Sequence, residues 1–594
     1  MRLTDAVKSL QLGKKKIREK KKLRTVWSPE QWEADACPLP EYPRPQLVRD
    51  HWINLNGWWE YQIVKAGGRF SRPDGRILVP FSPETDASGV NRVLQPGEGL
   101  WYRCYFECPE TENGHRVLLH FGAVDERCAV FINGQTAGKH RNGYLSFSFD
   151  ITELVRPGEN ELRVYVRDDS DTGMECRGKQ RLSPGGMFYQ AQSGIWQTVW
   201  METVPENHIT DLQIIPLDDL RTVRFRITLK DPAPVEINLG STMYRMDECG
   251  FQKSKEAAVL ETEITVHEPR LWSPESPALY EADIIAGKDH VQSYFAIRSF
   301  GTGTDENGHA CLTLNGKPYF MNGVLDQGYW PESLMTAPSD EALLYDITEM
   351  KQAGFNMIRK HEKIEAERWY YHCDRLGMIV WQDMVHGGGR IDAMRMTYLP
   401  TVFPWIWTHL KDEGNYRLFG RTDAQARTRF EKDLLRMIRQ LENHPCIGLW
   451  NIFNEGWGQF DALRLTEMVR EADPARLIDH ASGWFDQGGG DVKSVHNYFR
   501  KLVVEKDARP FVLSEYGGYT CDIPGHVMYE ENYGYRDYSP EDLPDAFDEL
   551  MAEIEALKKD GLAAAVYTQI SDIEEEKNGI LTYDRKVKKA GKQE

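Results

Sequence analysis

The stretch Cys446-Ile-Gly-Leu-Trp-Asn-Ile-Phe-Asn-Glu455 decides the fold of this chain. It is an apolar run of strand length that ends in an amide and a carboxylate. A second stretch, Pro510-Phe-Val-Leu-Ser-Glu515, repeats this arrangement after enough residues for two strand–helix–strand steps. Carboxylates at the carboxyl ends of different parallel strands are typical of a barrel active site. Such a pair predicts a retaining glycosidase, with one general acid/base and one nucleophile.

From about residue 311 the sequence alternates between strand-like and helix-like segments. Eight apolar runs read as strands, at residues 319–323, 355–359, 378–382, 447–451, 477–480, 492–495, 510–513 and 563–567. Amphipathic segments between them include residues 340–353, 365–376, 424–441 and 460–472. This alternation predicts a C-terminal (β/α)8 TIM barrel. Residues 385–423, with Trp405 and Trp407, are long for a barrel loop and are a candidate active-site lid.

The residues before the barrel predict two β domains. Short apolar and aromatic runs with turn signals such as Asn133-Gly134 indicate a β jelly-roll sandwich over residues 40–205. Period-two runs such as residues 221–228 indicate an immunoglobulin-like β-sandwich over residues 206–300. The predicted domains are therefore a basic arm at 1–39, the jelly roll at 40–205, the second sandwich at 206–300 and the barrel at 301–594.

Composition restricts the partners and the compartment. The chain has 594 residues and a net charge of −19, which argues against nucleic acid or an anionic membrane as a partner. The basic run at 14–24 is interpreted as a solvated arm or a contact to an acidic neighbouring subunit. The 10 cysteines show no disulfide framework or metal-ligand spacing, so we expect reduced thiols, no metal and no cofactor. With no apolar leader, a cytoplasmic protein is expected, and a homo-oligomer stays open.

Several motifs resemble glycoside hydrolase family 2, which contains β-galactosidases, β-glucuronidases and β-mannosidases. The stretch His444 to Glu455 resembles its acid/base motif. The resemblance covers nearly the whole chain, through residues 52–60 and 193–199 in the jelly roll, 271–280 and 297–301 in the middle domain, and 314–320 at the barrel entrance. It implies that Glu455 is the acid/base and Glu515 the nucleophile, with retention at the anomeric carbon. Asn454 would then bind the sugar 2-OH.

Departures from the family pattern concern the substrate. Where β-galactosidases and β-glucuronidases carry a His-rich sequence after the first barrel strand, this chain has Asp326 and Gln327. Where β-glucuronidases carry Asn-x-Lys, it has Glu574-Glu-Glu-Lys-Asn-Gly-Ile580, whose acidic residues would repel a uronate. Phe188 stands where the jelly roll of β-galactosidases lends an acidic residue. We therefore expect an exo-acting, β-galactosidase-like enzyme for a terminal neutral sugar, with α-L-arabinofuranosidase and β-galactofuranosidase as alternatives.

Other polar residues at strand ends are substrate-binding candidates. They are Arg359, His361, Asp383, His496, Tyr498, Tyr516 and Gln569, in addition to Asn454, Asp326 and Gln327. Arg359 is expected near the nucleophile, and Tyr498 is expected to donate to its carboxylate. Structural roles are the alternatives for His361, Asp383, Tyr516 and Gln569. The expected partner is a small oligosaccharide or glycoside, and transglycosylation stays open. A catalytically inactive carbohydrate-binding protein is the alternative from another class, and the presence of both glutamates with Asn454 argues against it.

Overall fold

The N-terminal domain is a β-sandwich whose strands alternate buried and solvent-facing side chains. The computed structural model describes residues 20–108, 114–392, 394–403 and 409–591. The domain's strands are β1 (Trp52–Asn54), β2 (Gly57–Lys65), β3 (Gly75–Val79), β4 (Glu98–Cys108), β5 (His115–Phe121), β6 (Val124–Asp125), β7 (Arg127–Ile132), β8 (Gln135–Arg141), β9 (Phe147–Asp150), β10 (Gly158–Arg167), β11 (Gln180–Arg181), β12 (Tyr189–Gln190), β13 (Gly194–Ile195) and β14 (Val199–Pro205). A four-stranded sheet, β1-β14-β5-β9, packs on a six-stranded sheet, β3-β2-β4-β10-β7-β8. Period-two burial, as at Leu162, Val164 and Val166, builds the core between them.

The second domain is a smaller sandwich of two four-stranded antiparallel sheets. Its strands are β15 (Asp211–Pro216), β16 (Thr222–Leu229), β17 (Val235–Leu239), β18 (Thr242–Met246), β19 (Phe251–Lys253), β20 (Ala258–Thr265), β21 (Tyr280–Ala286) and β22 (Asp289–Phe295). The sheet orders are β15-β16-β20-β19 and β18-β17-β21-β22. A short antiparallel sheet of β23 (Phe300–Thr304), β24 (Ala310–Leu314) and β25 (Lys317–Pro318) then leads into the barrel.

The third domain is an eight-stranded parallel barrel. Its strands are β26 (Met321–Asp326), β27 (Met357–Lys360), β28 (Ile379–Asp383), β29 (Ile447–Asn451), β30 (Leu477–Asp479), β31 (Lys493–Asn497), β32 (Phe511–Gly517) and β35 (Leu562–Thr568), and the short strands β33 (Tyr519–Thr520) and β34 (Arg536–Asp537) form a separate pair. Its helices are α1 (Asp340–Gln352), α2 (Glu367–Leu376), α3 (Leu399–Val402), α4 (Ala424–Leu441), α5 (Ala462–Ala472) and α6 (Leu543–Leu557). Ser339 and Asp423 cap the first turns of α1 and α4 with side-chain oxygens. The predicted multidomain fold, with its TIM barrel, is confirmed.

The barrel is held together by side chains where its hydrogen-bonded order begins and ends. That order is β30-β29-β28-β27-β26-β35-β32-β31, so β30 and β31 are the two end strands. Ser482, just after β30, brings its hydroxyl to 3.0 Å from His496 Nε2 and 3.3 Å from the Ser494 hydroxyl, both on β31. Its hydroxyl also lies 2.9 Å from that of Ser514 on β32. Polar side chains therefore replace backbone pairing at the strands that carry the site.

The described part of the predicted basic arm is docked on the barrel. Leu23 and Thr25 are buried, and Thr25 donates from its backbone and its hydroxyl to Glu332. Trp27 packs on Trp330 with ring centroids 6.2 Å apart. Residues 1–19 lie outside the described residues. Of the described residues of the basic run at 14–24, 20–22 are exposed and Leu23 is buried, and its role as a solvated arm or a subunit contact stays a prediction. Among the described helices, none is both long and apolar enough to cross a membrane.

A buried arginine joins the two β domains. Arg49 donates to Glu202 at 2.9 Å in the first sandwich and to both Asp289 oxygens, at 3.0 and 2.8 Å, in the second. It also donates to the Ile209 carbonyl at 2.8 Å. Two carboxylates around one guanidinium compensate for its loss of water. The orientation of the sandwiches thus depends on this contact.

Removing this guanidinium should destabilise the protein. We expect Arg49→Ala to lower the free energy of unfolding by about 3–5 kcal/mol, because the buried Asp289 loses its guanidinium partner and Glu202 keeps only that of Arg44. Arg224→Ala is the control, since it breaks an exposed pair with Glu263 and should cost about 0–1 kcal/mol. Urea unfolding followed by circular dichroism would measure both. Equal losses in the two variants would contradict a special role for Arg49.

Candidate active site

The two-residue period of the barrel strands decides which polar side chains meet. On β27, Arg359 reaches Asn454 at 2.9 Å and Glu515 at 3.2 Å, which follow or lie on other strands, so it faces the barrel interior. The next residue, Lys360, lies over the ring of Trp369 on α2 at 4.0 Å and pairs with Asp326 at 2.6 Å. Successive side chains therefore point to opposite faces of the barrel wall. Arg359 belongs to the site, and Lys360 belongs to the layer behind it.

The two predicted catalytic carboxylates lie side by side. One ligand atom each of Glu455, His496 and Glu515 lies within 4.8 Å of the others, and all three residues are buried. His496 Nδ1 is 2.9 Å from a Glu455 oxygen, and its Nε2 is 3.5 Å from a Glu515 oxygen. Glu455 has φ 51°, in the left-handed region, and its N–H donates to the Ser482 carbonyl at 2.9 Å. This backbone geometry, which costs about 1–3 kcal/mol, orients Glu455 towards its partner.

Glu515 is held in its ionised form. The Arg359 guanidinium donates to it at 3.2 Å, and the Tyr498 hydroxyl donates to its other oxygen. Burial acts to raise the pKa of this carboxyl, but the neighbouring His496 and the Arg359 guanidinium outweigh it and lower the pKa to about 2. A carboxylate that stays ionised at neutral pH is suited to act as a nucleophile.

Asp383 positions the basic residues of the site. Its carboxylate accepts from Arg359 Nε at 3.0 Å, contacts His361 Nδ1 at 2.6 Å and accepts from Asn451 at 2.9 Å. Burial acts to raise the pKa of Asp383, but the Arg359 charge and the His361 contact lower it to about 2. Both oxygens of Asp383 therefore have partners, and the carboxylate fixes the positions of Arg359 and His361. Within the described chain, His361 Nε2 is buried and has no hydrogen-bond partner.

Uncharged amides line another wall of the site. Gln327 donates to Gln569 at 2.6 Å, and Gln569 donates to Asn578 at 2.8 Å. Gln327 also donates to the hydroxyl of Tyr189 at 2.7 Å, and Tyr189 belongs to the jelly roll. The predicted residues Gln327 and Gln569 are thus brought together in a row that the N-terminal domain completes.

The acidic stretch 574–576 anchors this jelly-roll segment to the barrel. Glu574 accepts from the backbone N–H of Gln190 at 2.8 Å, and Glu575 accepts from that of Gly186 at 2.7 Å. Glu576 accepts from the hydroxyl of Tyr189. The three carboxylates therefore help to hold a segment of the sugar-binding-like domain over the barrel, a role that the sequence did not indicate.

Two of the predicted binding residues are turned away from the carboxylate pair. The Asp326 carboxylate is occupied by Lys360 at 2.6 Å and by the Gly328 N–H at 2.7 Å. The Tyr516 hydroxyl contacts the sulfur of Met551 on α6 at 3.7 Å. Each lies one residue from a position that faces the site, Gln327 and Glu515 respectively. The strand period therefore assigns packing roles to Asp326 and Tyr516.

Sequence reasoning missed an aromatic and charged wall around Trp457. Phe188 and His386 lie against its ring, with centroids 5.4 and 5.2 Å away, and the Lys179 ammonium is 5.9 Å from the ring centroid. His386 Nδ1 contacts Glu362 at 2.5 Å. Lys179 and Phe188 come from the jelly roll, far from the barrel in sequence. The position of Trp457 two residues after Glu455 was the only local signal for this wall.

The candidate lid lies in part against the same wall. The Trp457 indole N–H donates to the Thr397 hydroxyl at 3.0 Å, and Met396 and Phe419 pack with Trp484 and Phe485. Trp405 and Trp407 lie outside the described residues. A role of residues 385–423 as a lid stays a prediction.

Comparisons with known proteins agree with this fold and site. Family models match three segments, namely the glycosyl hydrolase 2 galactose-binding domain-like model at residues 92–197, the glycosyl hydrolases family 2 model at 207–298 and the glycosyl hydrolases family 2 TIM barrel model at 307–593. These segments lie in order in the three domains and together cover most of the chain. The chain therefore belongs to glycoside hydrolase family 2.

Its relatives carry different substrate names. A β-galactosidase of Klebsiella pneumoniae (strain 342) is 24% identical over 68% of this chain and 37% of its own length. A putative β-glucuronidase of Formosa agariphila is 25% identical over 72% of this chain and 51% of its own length. The chain thus spans about half the length of these relatives or less.

Solved structures show the same fold. A family 2 β-galacturonidase from Eisenbergiella tayi, bound to glycerol, superposes with a TM-score of 0.69 at 19% identity, covering 92% of this chain and 96% of that one. A Faecalibacterium prausnitzii β-glucuronidase gives 0.67 at 21% identity, covering 92% and 97%. At these identities the likeness concerns the architecture.

The hydrogen bond from Tyr498 to Glu515 should matter for turnover of any glycoside that the site accepts. Tyr498→Phe removes a donor to a buried carboxylate, which is worth about 1.5–3 kcal/mol. We expect kcat/KM to fall by about 10- to 100-fold, since 1.36 kcal/mol corresponds to a factor of ten. Tyr516→Phe is the matched control, because its hydroxyl faces Met551. A similar loss in both variants would show that the Tyr498 contact is not specific.

Proposed function

We propose that this chain is an exo-acting, retaining glycoside hydrolase that uses Glu455 as general acid/base and Glu515 as nucleophile. The observation that carries the proposal is the closeness of the two carboxylates, which each place an oxygen within 4.8 Å of the other. Retaining glycosidases keep their carboxyl groups about 5–5.5 Å apart, whereas inverting enzymes leave about 6.5–9.5 Å for a water molecule. The short separation supports direct attack by one carboxylate on the sugar.

The reaction proceeds in two displacements. Glu515 attacks the anomeric carbon while Glu455 gives its proton to the glycosidic oxygen, so that the carbon–oxygen bond breaks and the aglycone leaves as an alcohol. A water molecule then gives a proton to Glu455, and its oxygen replaces Glu515 at the anomeric carbon. The second step regenerates the Glu515 carboxylate and the protonated Glu455. Two inversions give net retention.

The residues around the pair have distinct roles in this proposal. Arg359 and Tyr498 keep Glu515 ionised and fix the direction of its attacking oxygen. His496 contacts both glutamates. It therefore interacts with the negative charge on Glu515 before the first step and on Glu455 after it. Asn454, held by Arg359 at 2.9 Å, is placed next to Glu455 to bind the sugar 2-OH.

The proposed glycone is a neutral terminal sugar. The amides of Gln327, Gln569 and Asn578 offer uncharged donors and acceptors, which suit hydroxyl groups. The carboxylate of Glu576 lies next to this row, because Asn578 donates to it at 3.2 Å. A galactose-like pyranose and an arabinofuranose or galactofuranose fit this chemistry. Some similar proteins are named β-glucuronidase or β-galacturonidase, so a uronate is the competing glycone.

Loss of the nucleophile should abolish turnover. We expect Glu515→Gln to lower kcat by at least about 10⁴-fold, because the amide cannot form the covalent intermediate. An unchanged circular dichroism spectrum and melting temperature would show that the fold is intact. For the wild-type enzyme, proton NMR should show that the first sugar product has the same anomeric configuration, α or β, as the substrate. Initial release of the opposite anomer would rule out the retaining mechanism.

The acid/base should reveal itself through the leaving group. Glu455→Ala should slow cleavage of alkyl glycosides at least about 100-fold more than cleavage of p-nitrophenyl glycosides, whose leaving group needs little protonation. Steady-state rates on a matched pair of glycosides would measure this. Equal losses on the two substrates would contradict the acid role of Glu455.

A panel of p-nitrophenyl glycosides identifies the glycone. It includes β-D-galactopyranoside, β-D-glucopyranoside, β-D-mannopyranoside, α-L-arabinofuranoside, α-L-arabinopyranoside, β-D-galactofuranoside, β-D-glucuronide and β-D-galacturonide. We expect the main activity on a neutral glycone, and main activity on a uronide would overturn that part of the proposal. Sugar binding without turnover of any glycoside would favour the inactive carbohydrate-binding alternative.

A further inference from the structure

Two buried polar atoms near the catalytic pair, on Glu362 and His361, have no hydrogen-bond partner among the described residues, and a lysine close to them forms no ion pair there. Lys179 is 7% exposed, and in the described chain no carboxylate lies within 4.0 Å of its ammonium and no acceptor binds it. Glu362 is 3% exposed, and its Oε1 has no hydrogen-bond partner among described residues. His361 Nε2 is in the same position. Buried polar atoms are normally satisfied, so a ligand is the natural partner for these groups.

These groups come from two domains that meet closely. A Cβ at Gly178 would lie 2.7 Å from the Glu362 carbonyl, so the jelly-roll backbone before Lys179 is pressed against the end of β27. Gly178 also has φ 59°, which favours glycine. The Lys179 ammonium lies over the rings of Tyr189 and Trp457, at 5.8 and 5.9 Å. Close packing at Gly178 therefore brings Lys179 next to Trp457, which follows Glu455 by two residues.

Trp457 links the lysine to the carboxylate. Its ring lies next to His386, with centroids 5.2 Å apart, and His386 Nδ1 holds one Glu362 oxygen at 2.5 Å. The other Glu362 oxygen is left for a ligand. Burial raises the pKa of Glu362 to about 7, and the Lys179 charge acts against this rise. Lys179 and Glu362 are thus connected through the neighbouring rings of Trp457 and His386.

We propose that Lys179 and Glu362 form a clamp for two neighbouring hydroxyl groups of a neutral glycone. This inference rests on the proposed glycosidase function and names the feature of the substrate that the site recognises. Each sugar hydroxyl is at once a donor and an acceptor, so one can donate to Glu362 Oε1 and the other can accept from the Lys179 ammonium. Hydrogen bonds to charged groups are the strong ones, and a diol satisfies both charges without bringing another charge.

The charges around the clamp favour a diol over an anionic group. Burial raises the pKa of Glu362 to about 7, whereas Glu515 stays ionised, so a substrate carboxylate at this place would approach a carboxylate and a second acidic group with one ammonium to compensate. The stretch 574–576 adds three acidic residues that the jelly roll holds at the barrel wall.

Binding of monosaccharides tests the clamp independently of turnover. Isothermal titration would compare D-galactose, L-arabinose and D-glucose, and the deoxy analogues of the sugar that binds best, with the wild-type protein, Lys179→Met and Glu362→Gln. We expect each substitution to weaken binding of the parent sugar by about 10- to 100-fold, as a lost hydrogen bond to a charged group implies. For the deoxy analogue that lacks the clamped hydroxyl, the dissociation constants of the variant and the wild-type protein should agree within about threefold.

Lys139→Met is the control, since Lys139 is an exposed lysine of the same domain. Melting temperatures of the variants check that they are folded. Unchanged sugar affinity in Lys179→Met and Glu362→Gln would overturn the clamp, and so would the absence of any monosaccharide binding to the wild type. If D-glucuronate or sulfate binds better than every neutral sugar and loses its affinity in Lys179→Met, Lys179 is an anion receptor and the clamp is wrong. Failure of the glycosidase proposal would instead appear as normal sugar binding without hydrolysis.

Discussion

The compensation of one buried guanidinium determines the geometry of this site. Arg359 is 1% exposed and has no access to bulk water, so its donors must all find acceptors in the protein. They find them in Asp383, Asn454, Glu515 and the Ser514 carbonyl. These acceptors belong to β28, to the loop after β29 and to β32. A single charge therefore ties together the strand ends that carry Asn454, next to the proposed acid/base Glu455, and the proposed nucleophile Glu515.

A barrel alone does not complete the site. The segment from Lys179 to Tyr189 supplies an ammonium, an aromatic ring and a tyrosine hydroxyl, and it is held over the barrel by carboxylates of the loop after β35. The contact of Arg49 with both sandwiches fixes the domain from which this segment comes. In this proposal, substrate recognition depends on the packing of the domains as well as on the strand ends. The first β domain supplies side chains to the site, and the second helps to fix the position of the first.

The sequence was informative where a feature is local and less so where it depends on packing. Apolar runs bounded by turns located the eight barrel strands, and helix α4 was predicted with its observed bounds because its amphipathic pattern is strong. The two glutamates followed from the same strand ends. At the ends of β26 and β32 the sequence named both neighbours as candidates, and the structure turns Asp326 and Tyr516 away from the carboxylate pair, which for Tyr516 favours the structural alternative. Lys179 was not predicted, because no local sequence pattern indicates that a jelly-roll lysine packs on a tryptophan of the barrel.

His496 connects these observations to the chemistry. In the proposed double displacement Glu515 loses its negative charge as it forms the glycosyl ester, Glu455 gains one as it gives up its proton, and the second step reverses both changes. His496 contacts both carboxylates through different ring nitrogens, and the Ser482 hydroxyl lies 3.0 Å from its Nε2. Ser482 in turn belongs to the cluster of serine side chains that joins the two end strands of the barrel. At β30 and β31, where side chains take over from backbone pairing, His496 can therefore lie between Glu455 and Glu515.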